Sequence, residues 1–132
     1  MKYLLDTNIV GLAIKLNTNL MNKLTAVNTA DLFISAVTLA EIHYGLSKKP
    51  HAHNLHRTVQ EFLLRVSVLN WTNKTAITYG KFRAQLEQQG LSLSALDMMI
   101  AAHAKAENAV LISNDKAFFK IPNLSVEDWT TP

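Results

Sequence analysis

The sequence predicts an α/β fold, a three-layer sandwich with a mostly parallel central sheet of about five strands. Short apolar runs of strand length alternate along the chain with longer segments whose apolar residues recur at helical spacing. The clearest runs stop abruptly at polar residues, as expected for buried strands that end at the edge of a sheet. No repeat, low-complexity tract or linker interrupts this pattern, so we expect residues 1–132 to form a single domain.

The first half of the chain contains two predicted strands and three predicted helices. Strands are expected at residues 2–5 and 32–34, and helices over residues 7–16, 38–46 and 53–66. The first of these helices is apolar on more than one side, which is typical of a helix that is well buried or faces a partner. The polar stretch around residues 17–29 is assigned neither a strand nor a helix. Gly45 is the expected terminator of the helix over residues 38–46.

The second half continues the alternation of strands and helices. The expected elements are a strand at 68–69, a helix from Thr72 to Gly90, a helix over 94–104, a strand at 110–112, a short helix with Phe118 and Phe119, and a strand at 124–126. Strands separated by helices pair in parallel, because each connection crosses back over the sheet. The helices therefore cover both faces of the predicted sheet.

Four acidic residues stand where they could reach one site, and we call them the acidic set: Asp6, Glu41, Asp97 and Asp115. Asp6 and Asp115 follow predicted strands, and ligands of open α/β sheets bind at the carboxyl ends of the strands. Glu41 and Asp97 lie in or near the first turn of a predicted helix. Carboxylates packed together repel one another, and a divalent cation relieves that repulsion. The set therefore predicts a Mg²⁺ site, with Mn²⁺ as the alternative, because both ions prefer oxygen ligands.

Three neutral polar residues adjoin two of these acids in the sequence. Thr7 follows Asp6, and Ser113 and Asn114 precede Asp115. Hydroxyl and amide groups in such positions orient metal ligands through hydrogen bonds. We expect these three residues to support the acidic set without contacting the metal themselves.

Each acid also has a purely structural interpretation. Asp6 could N-cap the helix that follows it, and Thr38-x-x-Glu41 and Ser94-x-x-Asp97 both match the pattern of a capping box. His103 shares an apolar helix face and is expected to be a partly buried, hydrogen-bonded residue rather than a catalyst. The sequence alone leaves capping and metal binding open for all of the acids.

The charge balance favours a polyanionic partner. The chain carries a net charge of +3, and setting aside the acidic set leaves six acids against thirteen Lys and Arg residues. A basic exterior around an acidic pit suits RNA. The chain has no cysteine, which excludes disulfides and thiolate ligands. No apolar run is long enough for a bilayer and the N-terminal run is broken by Asp6, so we expect a soluble, cytoplasmic protein without a membrane partner.

Four segments carry a family resemblance: Leu4-Leu5-Asp6-Thr7-Asn8, Ser35-Ala36-Val37-Thr38-Leu39-Ala40-Glu41, Leu96-Asp97-Met98-Met99-Ile100-Ala101-Ala102-His103-Ala104 and Val110-Leu111-Ile112-Ser113-Asn114-Asp115. Through these segments the chain resembles PIN-domain ribonucleases, and specifically the VapC-type toxins of bacterial toxin–antitoxin pairs. The resemblance spans the chain in order and implies a PIN-like domain over residues 1–132. It also implies that the acidic set lines a Mg²⁺ or Mn²⁺ site with Thr7 as a supporting residue.

The resemblance further implies an activity and partners. VapC-type toxins are metal-dependent endoribonucleases that hydrolyse an RNA phosphodiester and thereby inhibit translation, and the resemblance is nearest to those that cut transfer RNA, the initiator tRNA in particular. It implies products with 5′-phosphate and 3′-hydroxyl ends. The implied partners are a cognate antitoxin and a second copy of the chain, with the helices over 7–16 and 38–46 as candidate contact surfaces of the homodimer.

The chain departs from the family pattern at two places, and two other functions stay open. Leu96 stands where relatives often have an aromatic residue, and Ala117-Phe118 stands where many have a basic–acidic pair. A phospho-acceptor signalling domain is also α/β with an aspartate at a strand end, but it usually needs an acidic pair near the first strand and a later lysine. A catalytically inactive interaction module could use the same acids as helix caps only.

Overall fold

A central sheet of five short strands organises the fold. The computed structural model describes residues 1–132. The strands are β1 (Tyr3–Leu5), β2 (Leu32–Ser35), β3 (Ser67–Leu69), β4 (Val110–Ile112) and β5 (Val126–Glu127). They lie in the order β3-β2-β1-β4-β5 and all pair in parallel. The predicted α/β class with a five-stranded, mostly parallel sheet is therefore confirmed.

Seven helices connect and cover the strands. They are α1 (Thr7–Ile14), α2 (Thr18–Ala26), α3 (Ala36–Ser47), α4 (His53–Leu63), α5 (Asn73–Gln88), α6 (Ala95–Ala106) and α7 (Lys116–Phe119). All except α4 begin at a residue whose side-chain oxygen accepts a hydrogen bond from a backbone N–H group of the first turn. None of the helices combines the length and the apolar character needed to cross a membrane.

The helix α2 lies in the polar stretch to which the sequence assigned no structure. Asn17 caps it, with its side-chain oxygen 3.0 Å from the Leu20 N–H group. Only Leu20 and Leu24, one turn apart, are buried. Because most of the helix is solvated, its apolar stripe is too narrow to stand out in the sequence.

The start of α3 also differs from the prediction. Ser35 is the N-cap, its Oγ accepting the Val37 N–H group at 3.0 Å, so the helix begins before Thr38. The predicted Thr38-x-x-Glu41 capping box is therefore wrong, and Thr38 is a buried residue inside the helix. Gly45 does not end the helix, which continues to Ser47 because its last turn retains regular hydrogen bonds.

Two hydrophobic cores lie on opposite faces of the sheet, because successive strand residues point to opposite sides. Leu4 and Leu111 pack into the core covered by α5 and α6, whereas Leu5 and Ile112 pack into the core covered by α1 and α2. Trp129 belongs to the second core, where its ring centroid lies 5.0 Å from that of Tyr3. The result is the three-layer arrangement that the alternating sequence predicts.

A buried hydrogen bond of His103 connects the end of β2 with α6. It is fully buried, and its Nδ1 lies 2.8 Å from the Oγ of Ser35 at the end of β2. The Nε2 atom has no hydrogen-bond partner, and the ring packs edge-on against Trp71 at 5.4 Å. His103 is thus hydrogen-bonded as predicted, with burial that is complete rather than partial. This hydrogen bond joins the N-cap of α3 to α6. It therefore connects the helix that carries Glu41 with the helix that carries Asp97.

We expect the stability of the fold to depend on the protonation of His103. Burial lowers the pKa of this imidazole, and the charge of Glu107 opposes the effect only in part. Near and below a pH of about 6.5, this imidazole is therefore protonated more readily in the unfolded chain than in the folded protein. The free energy of unfolding should consequently decrease as the pH falls from about 7.5 to about 5.5. Urea denaturation of the wild type and of His103→Gln measures this slope. The free energy of unfolding of the variant should decrease less steeply with falling pH than that of the wild type. Equal slopes would contradict the role given to His103.

Candidate active site

A polar pocket opens at the carboxyl ends of β1 and β4, where the order of the sheet reverses. From β1 the chain adds β2 and β3 on one side and then crosses to β4 and β5 on the other. Such a switch point leaves a crevice in which ligands of α/β sheets bind. The pocket has a volume of about 110 Å³ and is lined by Asp6, Thr7, Asn8, Glu41, Asp97, Asp115 and Phe118. The structure therefore brings the whole acidic set together.

Asp6 lies at the floor of this pocket and is almost fully buried. Its backbone N–H group donates to the carbonyl oxygen of Ile112 at 3.1 Å, which continues the pairing of β1 with β4 by one residue. Its Oδ1 accepts the Ile9 N–H group at 2.8 Å and thereby caps α1. The capping interpretation of Asp6 is correct, and the same carboxylate also faces the pocket.

The electrostatic environment of Asp6 links three members of the acidic set. Burial raises the pKa of its carboxyl group, and the negative charges of Asp97 and Asp115 raise it further. The Ser113 hydroxyl and the Ile9 N–H group stabilise the ionised form and offset part of the rise. A divalent cation in the pocket would relieve both the desolvation and the repulsion, because it favours the ionised carboxylates.

Glu41 is held by the first residue of α1. The Oγ1 of Thr7 donates to Oε1 of Glu41 at 2.7 Å and also lies 3.2 Å from Oγ1 of Thr38. On the other side of α3, Leu39 and Ile42 pack against the second core. Because the apolar stripe of α3 faces this core, Glu41 on the other side of the helix faces the pocket. Thr7 restricts the orientation of its carboxylate.

Asp97 and Asp115 each stand at the beginning of a helix. The Asp97 N–H group donates to Oγ of Ser94 at 3.2 Å, so the cap of α6 uses the Asp97 backbone and leaves the carboxylate in the pocket. Asp115 caps α7 by accepting the Ala117 N–H group at 2.9 Å with Oδ1. One oxygen of Asp115 is thus occupied by the cap while the side chain still lines the pocket.

The remaining predicted residues divide between two places. Ser113 is buried next to Asp6, and its Oγ accepts the Asp115 N–H group at 3.0 Å. Asn114 lies in an adjoining groove and does not line the carboxylate pocket. Asn8 and Phe118 line the pocket although the sequence did not single them out. Asn8 could have been found from its place in the first turn after Asp6.

The donor set of the pocket fits a hard cation. Carboxylate, hydroxyl and amide oxygens line it, without an imidazole or a thiolate, and oxygen-only sites suit Mg²⁺ and Mn²⁺. In the observed rotamers no three His, Asp or Glu side chains form a ready-made ligand set. Mg²⁺ commonly binds through one or two carboxylates and keeps several waters, so the acids need not all contact the ion.

A comparison with protein families identifies the fold family. The family model for the PIN domain matches residues 3–124, which include all of the acidic set. The chain belongs to the PIN-domain family. Among PIN-domain proteins, Ribonuclease VapC2 of Rickettsia felis is 40% identical, and the alignment covers 98% of both chains. The tRNA(fMet)-specific endonuclease VapC of Salmonella typhimurium is 33% identical with the same coverage.

Solved structures of similar PIN domains are complexes. The VapBC2 complex of Rickettsia felis, bound to a DNA fragment from its promoter, contains a chain with a TM-score of 0.91 and 38% identity, and the match covers 98% of this chain and 99% of that one. DNA-bound VapBC of Salmonella typhimurium gives a TM-score of 0.89 at 33% identity, covering 98% of each chain. These PIN domains therefore share the fold described above over their full length.

We expect Asp6→Asn to raise the melting temperature by a few degrees while removing the response to Mg²⁺. The raised pKa of Asp6 means that its ionised form destabilises the fold at neutral pH, and an asparagine caps α1 about as well as an aspartate. Bound metal should stabilise the wild type in a concentration-dependent way. Thermal denaturation with and without MgCl₂ measures both effects.

The matched control for this experiment is Asp31→Asn, which removes an acid outside the pocket. This variant should keep the response of the wild type to Mg²⁺. An Asp6→Asn protein that is less stable than the wild type and is still stabilised by Mg²⁺ would contradict the role given to Asp6.

Proposed function

We propose that this PIN domain is a Mg²⁺-dependent endoribonuclease, with Mn²⁺ as an alternative ion, and the toxin of a type II toxin–antitoxin pair. The observation that carries the proposal is the convergence of the acidic set on one pocket at the switch point of the sheet. The ribonuclease names of the full-length relatives support the same chemistry. On this proposal residues 1–132 are one catalytic domain.

The acidic set acts as the holder of the metal in this mechanism. Asp6 and Asp97 would hold the ion through their carboxylate groups, with help from Glu41 and Asp115, and Thr7 keeps Glu41 in one orientation. When bound, the ion would activate a water molecule and stabilise the negative charge on the leaving 3′-oxygen. Phe118 adds an apolar wall to this otherwise polar pocket. The products then carry 5′-phosphate and 3′-hydroxyl ends.

Transfer RNA is the substrate that we propose, and the initiator tRNA in particular. Relatives that are 31–33% identical over almost the whole chain are named tRNA(fMet)-specific endonucleases. The excess of Lys and Arg outside the acidic set supports binding to a polyanion. Cleavage of the initiator tRNA would stop translation at its first step.

The two rival functions receive less support from the pocket. A phospho-acceptor domain needs a lysine beside the acids, and no Lys or Arg lines the carboxylate pocket. An inactive module would need the acids only as caps, yet Asp6 is buried among other negative charges at a cost in stability. An asparagine would cap α1 without that cost. The cluster is therefore better explained by a bound cation.

We further propose that an antitoxin binds in an apolar groove between α1, α2 and α4. The groove has a volume of about 340 Å³, and most of its lining is hydrophobic, including Leu16, Met21 and Phe62. Leu16 is 69% exposed. An amphipathic helix fits such a groove, and similar PIN domains are found in complexes with antitoxins. The homodimer remains a proposal, with α1 and α3 as its candidate contact surfaces.

We expect the wild type to cleave RNA with Mg²⁺ and to lose cleavage in EDTA. Asp97→Asn should reduce the rate by about 100-fold or more, because ligand loss removes several kcal/mol of transition-state stabilisation. Mapping of 5′-phosphate ends in total RNA identifies the target. The control is Asp31→Asn, which should cleave normally. An Asp97→Asn protein that is folded and fully active with Mg²⁺ would overturn the proposed function.

We expect Leu16→Asn to weaken binding of the cognate antitoxin by about 10-fold, because burial of a leucine side chain contributes roughly 1.5–3 kcal/mol. Leu16 has a φ of 60°, a conformation that asparagine tolerates well, so the fold should not suffer. The matched control is Leu64→Asn, since Leu64 is 87% exposed and lies outside the groove. Calorimetry measures the affinities, and equal affinities for both variants would contradict the groove assignment.

A further inference from the structure

A second polar groove lies directly beside the carboxylate pocket. The two cavities share Thr7 and Asn8, and the second is also lined by Gly11, Leu12, Lys15 and Asn114. Its volume is about 300 Å³, which is within the range of small-molecule sites. No acid lines this groove, in contrast to the neighbouring pocket. The boundary between the two cavities is therefore also a boundary between negative and positive charge.

The groove is built by one face of α1. Its residues recur at helical spacing over 7, 8, 11, 12 and 15, so they stack along a single side of the helix. Gly11 leaves the middle of this face without a side chain, and a Cβ added there would meet no atom within 4 Å. The floor of the groove is consequently open to a ligand between Asn8 and Lys15.

Asn114 closes the groove from the other side of the switch point. It follows β4 at the position next to Asp115, and its side chain is exposed. Asp6 follows β1, the strand that pairs with β4. The groove and the carboxylate pocket thus lie side by side across the same crevice, one lined by α1 and Asn114 and the other by the acidic set.

Lys15 is the single charged residue of the groove and is available to a ligand. It stands at the C-cap of α1, its side chain is exposed, and it takes part in neither of the ion pairs of the protein. Asn8 and Asn114 each add an amide N–H₂ donor, whereas the hydroxyl hydrogen of Thr7 is already donated to Glu41. This combination of a cation with neutral donors is suited to a phosphate group.

We propose that this groove, which we call the Lys15 groove, binds the RNA phosphate next to the one that is cleaved, through Lys15, Asn8 and Asn114. The inference rests on the proposed ribonuclease function. A strand whose scissile phosphate occupies the carboxylate pocket must place a neighbouring phosphate in an adjacent space. The acidic set repels that second phosphate, whereas Lys15 attracts it. The Lys15 groove shares a border with the pocket and has the required charge.

The contact positions the strand and reads no base. Phosphate contacts fix register and orientation without conveying sequence, so Lys15 should affect binding of all RNA sequences alike. Loss of this contact should raise KM and change kcat little, because the phosphate is bound equally in the ground state and in the transition state. Lys15 is thus a substrate-positioning residue in this proposal.

Binding of a fluorescently labelled single-stranded RNA tests the proposal without cleavage. The parent protein is Asp97→Asn, and affinities are measured by anisotropy over a series of salt concentrations. Adding Lys15→Ala should weaken binding at low salt by about 10-fold and make the slope of log K against log salt shallower by about 0.7, which corresponds to one phosphate contact. Lys15→Arg should restore both values, because arginine also binds phosphate.

The matched control is Lys81→Ala, which removes an exposed lysine on α5 that lines neither cavity. Gly11→Leu gives a second arm, since its side chain fills the groove and should weaken binding while the melting temperature stays near that of the parent. If Lys15→Ala has the affinity and salt slope of Lys81→Ala, or if the parent binds no RNA, the inference is overturned. Failure of the proposed function has a different signature, namely a wild type that binds RNA but does not cleave it with Mg²⁺.

Discussion

The repulsion between carboxylates at the junction of β1 and β4 is the constraint on which the site depends. Asp6 is almost fully buried, and the charges of Asp97 and Asp115 raise its pKa beyond the effect of burial. No Lys or Arg lines the pocket to compensate. The fold therefore carries an unfavourable electrostatic interaction that a divalent cation would remove. This unfavourable interaction is consistent with the proposed binding of a metal ion at the site.

Helix caps are the means by which the fold maintains this arrangement. Asp6 and Asp115 each use one oxygen to cap a helix, and Asp97 is placed by a cap that involves its own backbone. Capping and metal binding are thus compatible roles for the same residues. Because a cap fixes the carboxylate against the first helical turn, Asp6 and Asp115 are held in place before any ligand arrives. The hydrogen bond between His103 and Ser35 adds a link between α6 and the start of α3.

The helix α1 contributes to each of the three cavities described above. Thr7 and Asn8 border the carboxylate pocket and the Lys15 groove, whereas Ala13 and Ile14 line the apolar groove. This explains why the helix is apolar on more than one side, since one side packs in the second core and another lines the apolar groove. The proposed sites for metal, RNA and antitoxin are consequently arranged along a single short helix.

The sequence by itself determined the α/β class, the position of most strands and the candidacy of the acidic set. These features are local, because a short apolar run that ends on an acid marks a buried strand and its carboxyl end. Only the tertiary structure decided that β1 and β4 are neighbours, that Asn114 faces the Lys15 groove, and that α2 forms in a polar stretch. Strand order and burial depend on contacts between residues far apart in the chain, and local patterns do not encode which elements will meet.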